Sequence, residues 1–143
     1  MSRVTKKMVL ESLEKDWDGF AGRLQNLPAG ELRDYLTRQG YQTTSDLLAH
    51  IAGWWKECMK NVALLRKDPA YHPPKVDVDE FNRNVVEENR GNSEEQTIRV
   101  FHAVRAEIVN AVRELPDDIV DIESINDYLY WCVTNHFAEH AVG

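Results

Sequence analysis

Residues 130–140 read YWCVTNHFAEH, a stretch whose composition and spacing are typical of a helix. His136 and His140 stand four positions apart, so on a helix they lie on one face, separated by about 6 Å of rise. Two imidazoles placed in this way can bind one metal ion, and a third ligand must then come from another part of the chain. The stretch therefore predicts a C-terminal helix that contributes two ligands to a metal site.

The composition favours a single soluble domain and disfavours several classes of partner. The 143 residues suit a single domain, residues 1–143, with room for a sizeable core. The net charge of -7 disfavours nucleic acid and anionic membranes as partners. Cys58 and Cys132 both lie in apolar helical patterns, which favours buried thiols in a reducing compartment over a disulfide. Because residues 1–10 contain no long apolar run, we expect neither a signal sequence nor a membrane span. We therefore expect a cytoplasmic protein.

Apolar residues at helical spacing predict four long amphipathic helices, without the alternation typical of strands. They run from about Val4 to Leu27, from Thr43 or Thr44 to Lys67, from a Ser93 cap to Leu115, and from a loop through Asp121 to His140. A short helical connector, Glu31 to Arg38, and a short helix, Val78 to Asn89, lie between them. The second long helix is expected to bury one stripe, made of Leu47, Ile51, Trp54, Cys58, Val62 and Leu65.

The lengths of the connections predict an all-α, four-helix bundle in up-down-down-up order. The link from about Arg66 to Asn92 is long enough to cross the length of a bundle, so the second and third helices can point the same way. The link at Pro116 to Asp121 is short and makes the third and fourth helices antiparallel neighbours. In this order the start of the second helix meets the end of the fourth, which brings His50 level with His136 and His140.

Residues 44–54, TSDLLAHIAGW, together with the His136-x-x-x-His140 pair, resemble the DinB-like superfamily of four-helix-bundle proteins. The Phe81-Asn82 pair and the helix start at Ser93 are similar to the ClbS/DfsB-type branch of that superfamily. The resemblance implies the same crossed bundle and a divalent metal, zinc or nickel, held by His50, His136 and His140. It also implies either thiol-dependent transfer or isomerisation, with a low-molecular-weight thiol as co-substrate, or hydrolytic protection against an electrophilic toxin.

The residues support this chemistry independently of the resemblance. Three neutral imidazoles leave an open position on a metal ion, where a bound water acquires a pKa of about 7 or a thiol binds as thiolate. Glu139 lies near the edge of the same helix face and is the catalytic candidate, with Glu57 a weaker one. Cys132 lies about 12 Å of helical rise from His140, which is too far for both to bind one ion, so we assign it to the core.

Candidate substrate-binding residues are Trp54, Phe81 and Asn82. Trp54 stands one turn from His50, and the other two carry the ClbS-type resemblance. Aromatic residues at helical spacing are also typical of a core or of a homodimer face. His72 and His102 fall in a Pro-rich loop and on a helix flank, where a surface position is expected.

Three hypotheses of function remain. The first is a metal-dependent enzyme of the DinB-like type, a thiol S-transferase or hydrolase that acts on a small electrophile. The second is a non-catalytic bundle that binds or sequesters a small hydrophobic or toxic ligand. The third is a structural or regulatory dimer in which the histidines are polar groups of the core.

Overall fold

The computed structural model describes residues 2–142, which form helices joined by turns and loops and contain no strand. The helices are α1 (Lys6–Glu11), α2 (Phe20–Asn26), α3 (Ala29–Gln39), α4 (Thr44–Lys67), α5 (Val78–Glu88), α6 (Glu94–Glu114), α7 (Asp117–Val120), α8 (Glu123–Leu129) and α9 (Asn135–His140), with π-helical turns at Ser12–Asp16 and Tyr130–Thr134. The predicted all-α class is therefore confirmed. Within this range, no helix combines the length and apolar character needed to cross a membrane.

The two longest helices begin with the predicted caps. The Thr43 hydroxyl oxygen accepts the Asp46 N–H at 3.0 Å and starts α4. Ser93 and Gln96 form a reciprocal capping box at the start of α6, with bonds of 3.1 and 2.8 Å. These bonds satisfy amide groups that the first turn of a helix leaves without a partner.

The first predicted helix, Val4 to Leu27, is not continuous. It is divided into α1, a π-helical turn at Ser12–Asp16, a turn at residues 17–19, and α2. A π turn adds a residue to the helical repeat and so rotates everything that follows it. Trp17, directly after this turn, is completely buried and donates its indole N–H to the Val133 carbonyl at 3.2 Å.

The last predicted helix is interrupted in the same way. A π-helical turn at Tyr130–Thr134 separates α8 from α9, although both keep helical backbone. Inside this turn the Cys132 carbonyl accepts the Trp55 indole N–H at 3.0 Å. The core tryptophans Trp17 and Trp55 therefore bind backbone oxygens of the segment that leads into the two C-terminal histidines.

Trp55, and not Trp54 as predicted, belongs to the core stripe of α4. Trp55 is completely buried and packs edge to face on Trp17, with ring centroids 5.0 Å apart. Trp54 is only half-buried. The reason is rotational: spacings of four and three from Ile51 reach positions 55 and 58, whereas position 54 falls on the flank that α5 covers.

α5 has no buried residue and packs against α4 at His50, Gly53 and Trp54. Val85 packs against Gly53, where a Cβ atom would meet Val85 Cγ2 at 2.9 Å. Phe81 stacks on Trp54 with ring centroids 4.2 Å apart. The missing side chain of Gly53 thus permits the close approach of α5 to α4.

Long-range contacts relate the remaining helices. His50, near the start of α4, lies beside His140 at the end of α9. Cys58, two turns further along α4, has its sulfur 3.8 Å from the Tyr128 carbonyl oxygen in α8. The start of α4 and the end of α9 therefore lie at the same end of the molecule.

Candidate metal centre

Three histidine side chains converge at that end of the molecule. Nε2 of His50 lies 3.2 Å from Nε2 of His136 and 3.3 Å from Nε2 of His140. One nitrogen from each ring lies within 4.8 Å of the others. All three are buried, with at most 7% of each residue exposed. The structure thus brings together the three residues predicted as metal ligands.

The second nitrogen of His136 faces a group that can only accept a hydrogen bond. His136 Nδ1 lies 3.1 Å from the Cys132 carbonyl oxygen. Nδ1 must therefore carry the proton and donate it, since a carbonyl has none to offer. In a neutral imidazole this leaves Nε2 without a proton, so its lone pair can accept a hydrogen bond or bind a metal ion.

His50 is held in the same tautomer by Asn82. His50 Nδ1 lies 3.0 Å from Asn82 Oδ1, and the Trp54 indole N–H donates to the same oxygen at 2.8 Å. An indole nitrogen only donates, so the amide of Asn82 must present its oxygen to both partners. The proton of His50 consequently lies on Nδ1.

His140 follows the same pattern through Gln39. His140 Nδ1 lies 2.6 Å from Gln39 Oε1, and Gln39 Nε2 donates to the Glu139 carbonyl at 3.3 Å. Because that carbonyl only accepts, Gln39 must turn its NH₂ toward Glu139 and its oxygen toward the ring. The Tyr35 hydroxyl donates to the His140 carbonyl and fixes the end of α9 against α3.

Three unprotonated Nε2 atoms therefore face one another in a buried space. They cannot hydrogen-bond together, because all three are acceptors, and their lone pairs repel unless a cation lies between them. A tetrahedral zinc ion with Zn–N bonds of 2.0–2.1 Å separates its nitrogen ligands by about 3.3 Å. The two separations that involve His50, 3.2 and 3.3 Å, match that spacing.

Burial keeps the three rings neutral. Desolvation lowers the pKa of His50 to about 4 and that of His140 to about 4, in the latter case with help from the nearby His50. Desolvation, followed by the charges of His140 and His50, lowers the pKa of His136 to about 3. Near pH 7 the rings therefore carry the lone pairs that metal binding needs without first losing a proton.

A cavity of about 490 Å³ adjoins this cluster. His50 and His136 are among the residues that line it. Trp54 and Glu139, predicted to bind substrate and to act in catalysis, also line it, as do Val78, Ser124, Asp127, Tyr128, Trp131 and Cys132. Its volume is in the range of small-molecule sites.

The other predicted candidates lie in different surroundings. Asn82 bonds to His50 and Trp54, and Phe81 stacks on Trp54, so both contact the site through other residues. Their role in binding substrate stays a prediction, as does the catalytic role of Glu139. Glu57, the weaker catalytic candidate, is paired with Lys60 at 3.1 Å.

The remaining histidines and Cys132 do not join the cluster. His72 is exposed in the loop after α4, as predicted, and His102 is half-buried on α6, where its Nδ1 accepts a bond from Arg105 at 3.4 Å. Cys132 contributes its carbonyl oxygen, and not its thiol, to the histidines.

Two residues of the site, Gln39 and Tyr35, were missed by sequence reasoning. Both lie on α3, which the sequence predicts only as a short connector. Gln39 immediately precedes Gly40, whose φ of 87° ends α3 and turns the chain toward α4. The turn at Gly40 is a readable signal, but no spacing rule relates Gln39 to a histidine 101 residues later.

The chain matches no protein-family model, no curated protein and no solved structure. The geometry of the site must therefore carry the functional interpretation. The site consists of three histidine rings whose Nε2 atoms converge and whose Nδ1 atoms each face an oxygen. A cavity with aromatic side chains in its wall lies beside them.

Proposed function

We propose that His50, His136 and His140 bind a divalent metal ion, zinc or nickel, and that the protein is a metal-dependent enzyme of the DinB-like type. The observation that carries this proposal is the convergence of three Nε2 atoms, each on a ring whose Nδ1 faces an oxygen. Metal-binding histidines typically donate their other N–H to an oxygen, which is the bond that each of these rings makes.

The proposed fold is an up-down-down-up four-helix bundle. Residues of α4 contact α9 and α8 in reverse order, which supports an antiparallel pair. Residues 48–53 of α4 share a groove with Thr97 and Val100, and residues 58–67 share one with residues 108–115, which supports a parallel α4 and α6. The segment from Asp68 to Ser93, which contains α5, would then be the long crossover.

The proposed reaction is thiol S-transfer to, or hydrolysis of, a small electrophile in the adjoining cavity. A bound divalent ion would supply a Lewis acid that lowers the pKa of a water or a thiol. The aromatic side chains of Trp54, Tyr128 and Trp131 would bind the apolar part of the substrate. Glu139, at the cavity wall, would accept the proton that the nucleophile releases. The thiol co-substrate and a homodimer stay predictions.

A second candidate function is non-catalytic binding or sequestration of a small molecule. The cavity favours it, because its wall is largely aromatic and apolar and needs no metal to bind an apolar ligand. The two functions differ in one respect: sequestration would persist unchanged after complete removal of the metal, whereas turnover would not.

Metal content tests the proposal directly. Untagged wild-type protein, dialysed against a weak chelator, is expected to keep about one zinc or nickel ion per chain by elemental analysis. The His136→Ala variant is expected to lose most of that metal, because two imidazoles bind a divalent ion far more weakly than three.

His72→Ala is the matched control. It removes one imidazole from the exposed loop and leaves the cluster intact, so its metal content should equal that of the wild type. Equal metal content in wild type and His136→Ala, or none in either, would overturn the proposed site.

A further inference from the structure

The wall of the cavity beside the histidines contains both aromatic and acidic side chains. Trp54, Tyr128 and Trp131 contribute aromatic rings, and Asp127 and Glu139 contribute carboxylates. Within the described range, none of the residues that line the cavity is a lysine or an arginine. No basic residue of the wall itself therefore offsets the negative charge of the two acids.

The two carboxylates differ in their surroundings. Asp127 lies 3.7 Å from the Arg3 guanidinium, and both side chains are about half exposed, so the pair is well screened by water. Glu139 accepts a hydrogen bond from the neutral Asn135 amide at 3.0 Å. Across residues 2–142, no basic nitrogen lies within 4.0 Å of its carboxylate. Both carboxylates are open to water, and Glu139 differs from Asp127 in having no basic partner within this distance, so it is the carboxylate left to meet a cationic ligand.

One aromatic side chain of the cavity wall, Trp131, already contacts a cation. The Arg3 guanidinium lies over the rings of Tyr130 and Trp131, at 5.1 and 5.5 Å from their centroids. Trp131 remains 52% exposed, so its ring is available to a ligand in the cavity as well. The negative face of an indole attracts organic cations, most strongly when water is excluded.

We infer that the cavity binds substrates that combine an apolar or aromatic body with a positively charged amine. The amine would lie between Glu139 and the aromatic rings, and the body would lie against Trp54 and Tyr128. This inference rests on the proposed function, in which the substrate binds beside the metal. In the metal-free protein, the two carboxylates disfavour ligands whose cavity-facing end is a carboxylate or a phosphate.

Three probes with the same aromatic body test the charge preference: 1-naphthylmethylamine, 1-naphthylmethanol and 1-naphthoate. Their dissociation constants would be measured by calorimetry on metal-free protein in the presence of a chelator. The amine is expected to bind about tenfold more tightly than the alcohol, and the naphthoate most weakly. The amine and the alcohol would be compared again on zinc-loaded protein, where the amine should still bind more tightly. An alcohol that binds as tightly as the amine in the zinc-loaded protein would overturn the inference.

Two variants test whether the Glu139 carboxylate causes the preference for the amine. Glu139→Gln should bring the affinity for the amine close to that for the alcohol, while the alcohol binds as before. Glu107→Gln makes the same change of charge at an exposed site on α6 and should leave both affinities unchanged. An amine preference that survives Glu139→Gln would contradict the assigned role of this carboxylate.

Zinc content of the same samples separates this inference from the proposed function. Protein that binds no zinc but prefers the amine would overturn the metal enzyme and support the ligand class. Protein that binds zinc but shows no preference would overturn the ligand class alone.

Discussion

At the residue scale, the tautomer and the orientation of each histidine ring are set by the oxygen atom that accepts its Nδ1 proton. Cys132, Asn82 and Gln39 each place an acceptor on the Nδ1 side of one ring, so every Nε2 faces the common centre. Two of these acceptors are side chains, and both can be removed without creating a large cavity in the core. Substitution of Asn82 or Gln39 therefore tests whether the orientation of a histidine ring affects metal binding, while all three histidines stay in place.

Gln39→Ala is expected to lower zinc affinity by about 10–100-fold, because the His140 ring loses the acceptor that fixes its tautomer and angle. A competition titration with a chromophoric chelator would measure the change. The control is Gln42→Ala, an exposed glutamine three positions along, which should bind zinc like the wild type. Equal affinities in all three proteins would show that Gln39 does not orient a ligand.

The lowered pKa values of the three histidines also predict how the stability of the metal-free protein depends on pH. Their folded pKa values are about 4, 3 and 4, below the value of about 6.5 expected in the unfolded chain. Between these limits the unfolded chain binds more protons, so the free energy of unfolding should fall as the pH drops from about 6.5 to about 4.

Urea titrations with a chelator present would measure that fall. The variant His136→Leu removes one of the buried titrating groups and should lose less stability over the same pH range. If both proteins lose the same amount, protonation of His136 is not part of the effect.

At the element scale, α5 is the helix that presents Asn82 to His50. This helix buries none of its residues, and its approach to α4 depends on the space left by Gly53. A helix with so little buried surface is held by a few contacts, so one added methyl group can displace it. The site should therefore be sensitive to a position that contacts no ligand.

Gly53→Ala is expected to displace α5, since its Cβ would lie 2.9 Å from Val85 Cγ2. Zinc affinity should fall because Asn82 moves away from His50, and amide hydrogen exchange in α5 should become faster. Adding Val85→Ala removes the clashing methyl groups and should restore both properties in the double variant.

The matched control is Gly22→Ala in α2, where an added Cβ meets no atom within 4 Å. This change should leave zinc affinity unaltered and stabilise the protein slightly, because alanine favours helix over glycine by up to about 1 kcal/mol. Unchanged α5 exchange in Gly53→Ala would show that the contact with Val85 does not position the helix.

At the scale of the whole molecule, the cluster joins segments that are distant in the chain. His50 is 86 residues from His136 and 90 from His140, and Gln39 extends the network to α3. A ligand that binds all three histidines therefore requires the folded arrangement of α4 and α9. Metal binding and global stability are expected to be coupled.

Zinc at 100 times its dissociation constant should raise the free energy of unfolding by about 2.7 kcal/mol, provided the unfolded chain does not bind it. Denaturant titrations with zinc and with a chelator would measure the difference. His72→Ala should show the same rise and His136→Ala almost none. A rise of equal size in His136→Ala would place the zinc elsewhere.

Helix positions and caps could be predicted because they depend on neighbours a few residues apart. The caps at Thr43 and Ser93 are local hydrogen bonds, and both are present as predicted. The burial of Trp55 instead of Trp54 and the π turn before α9 could not be predicted from neighbouring residues. They depend on which face of α4 the other helices cover and on indole donors that reach Cys132 and Val133 from distant segments.

The sequence by itself determined the all-helical class and, through spacing and connection lengths, which three histidines to consider together. Only the tertiary structure decided how those rings point, because the bonds from Gln39, Asn82 and the Cys132 carbonyl act on lone pairs and protons that sequence spacing does not describe. It also decided that Asp127 and Glu139 share one cavity wall with the aromatic rings. Periodicity encodes which face of a helix is buried, whereas the chemistry of a site depends on distances between side chains that only packing sets.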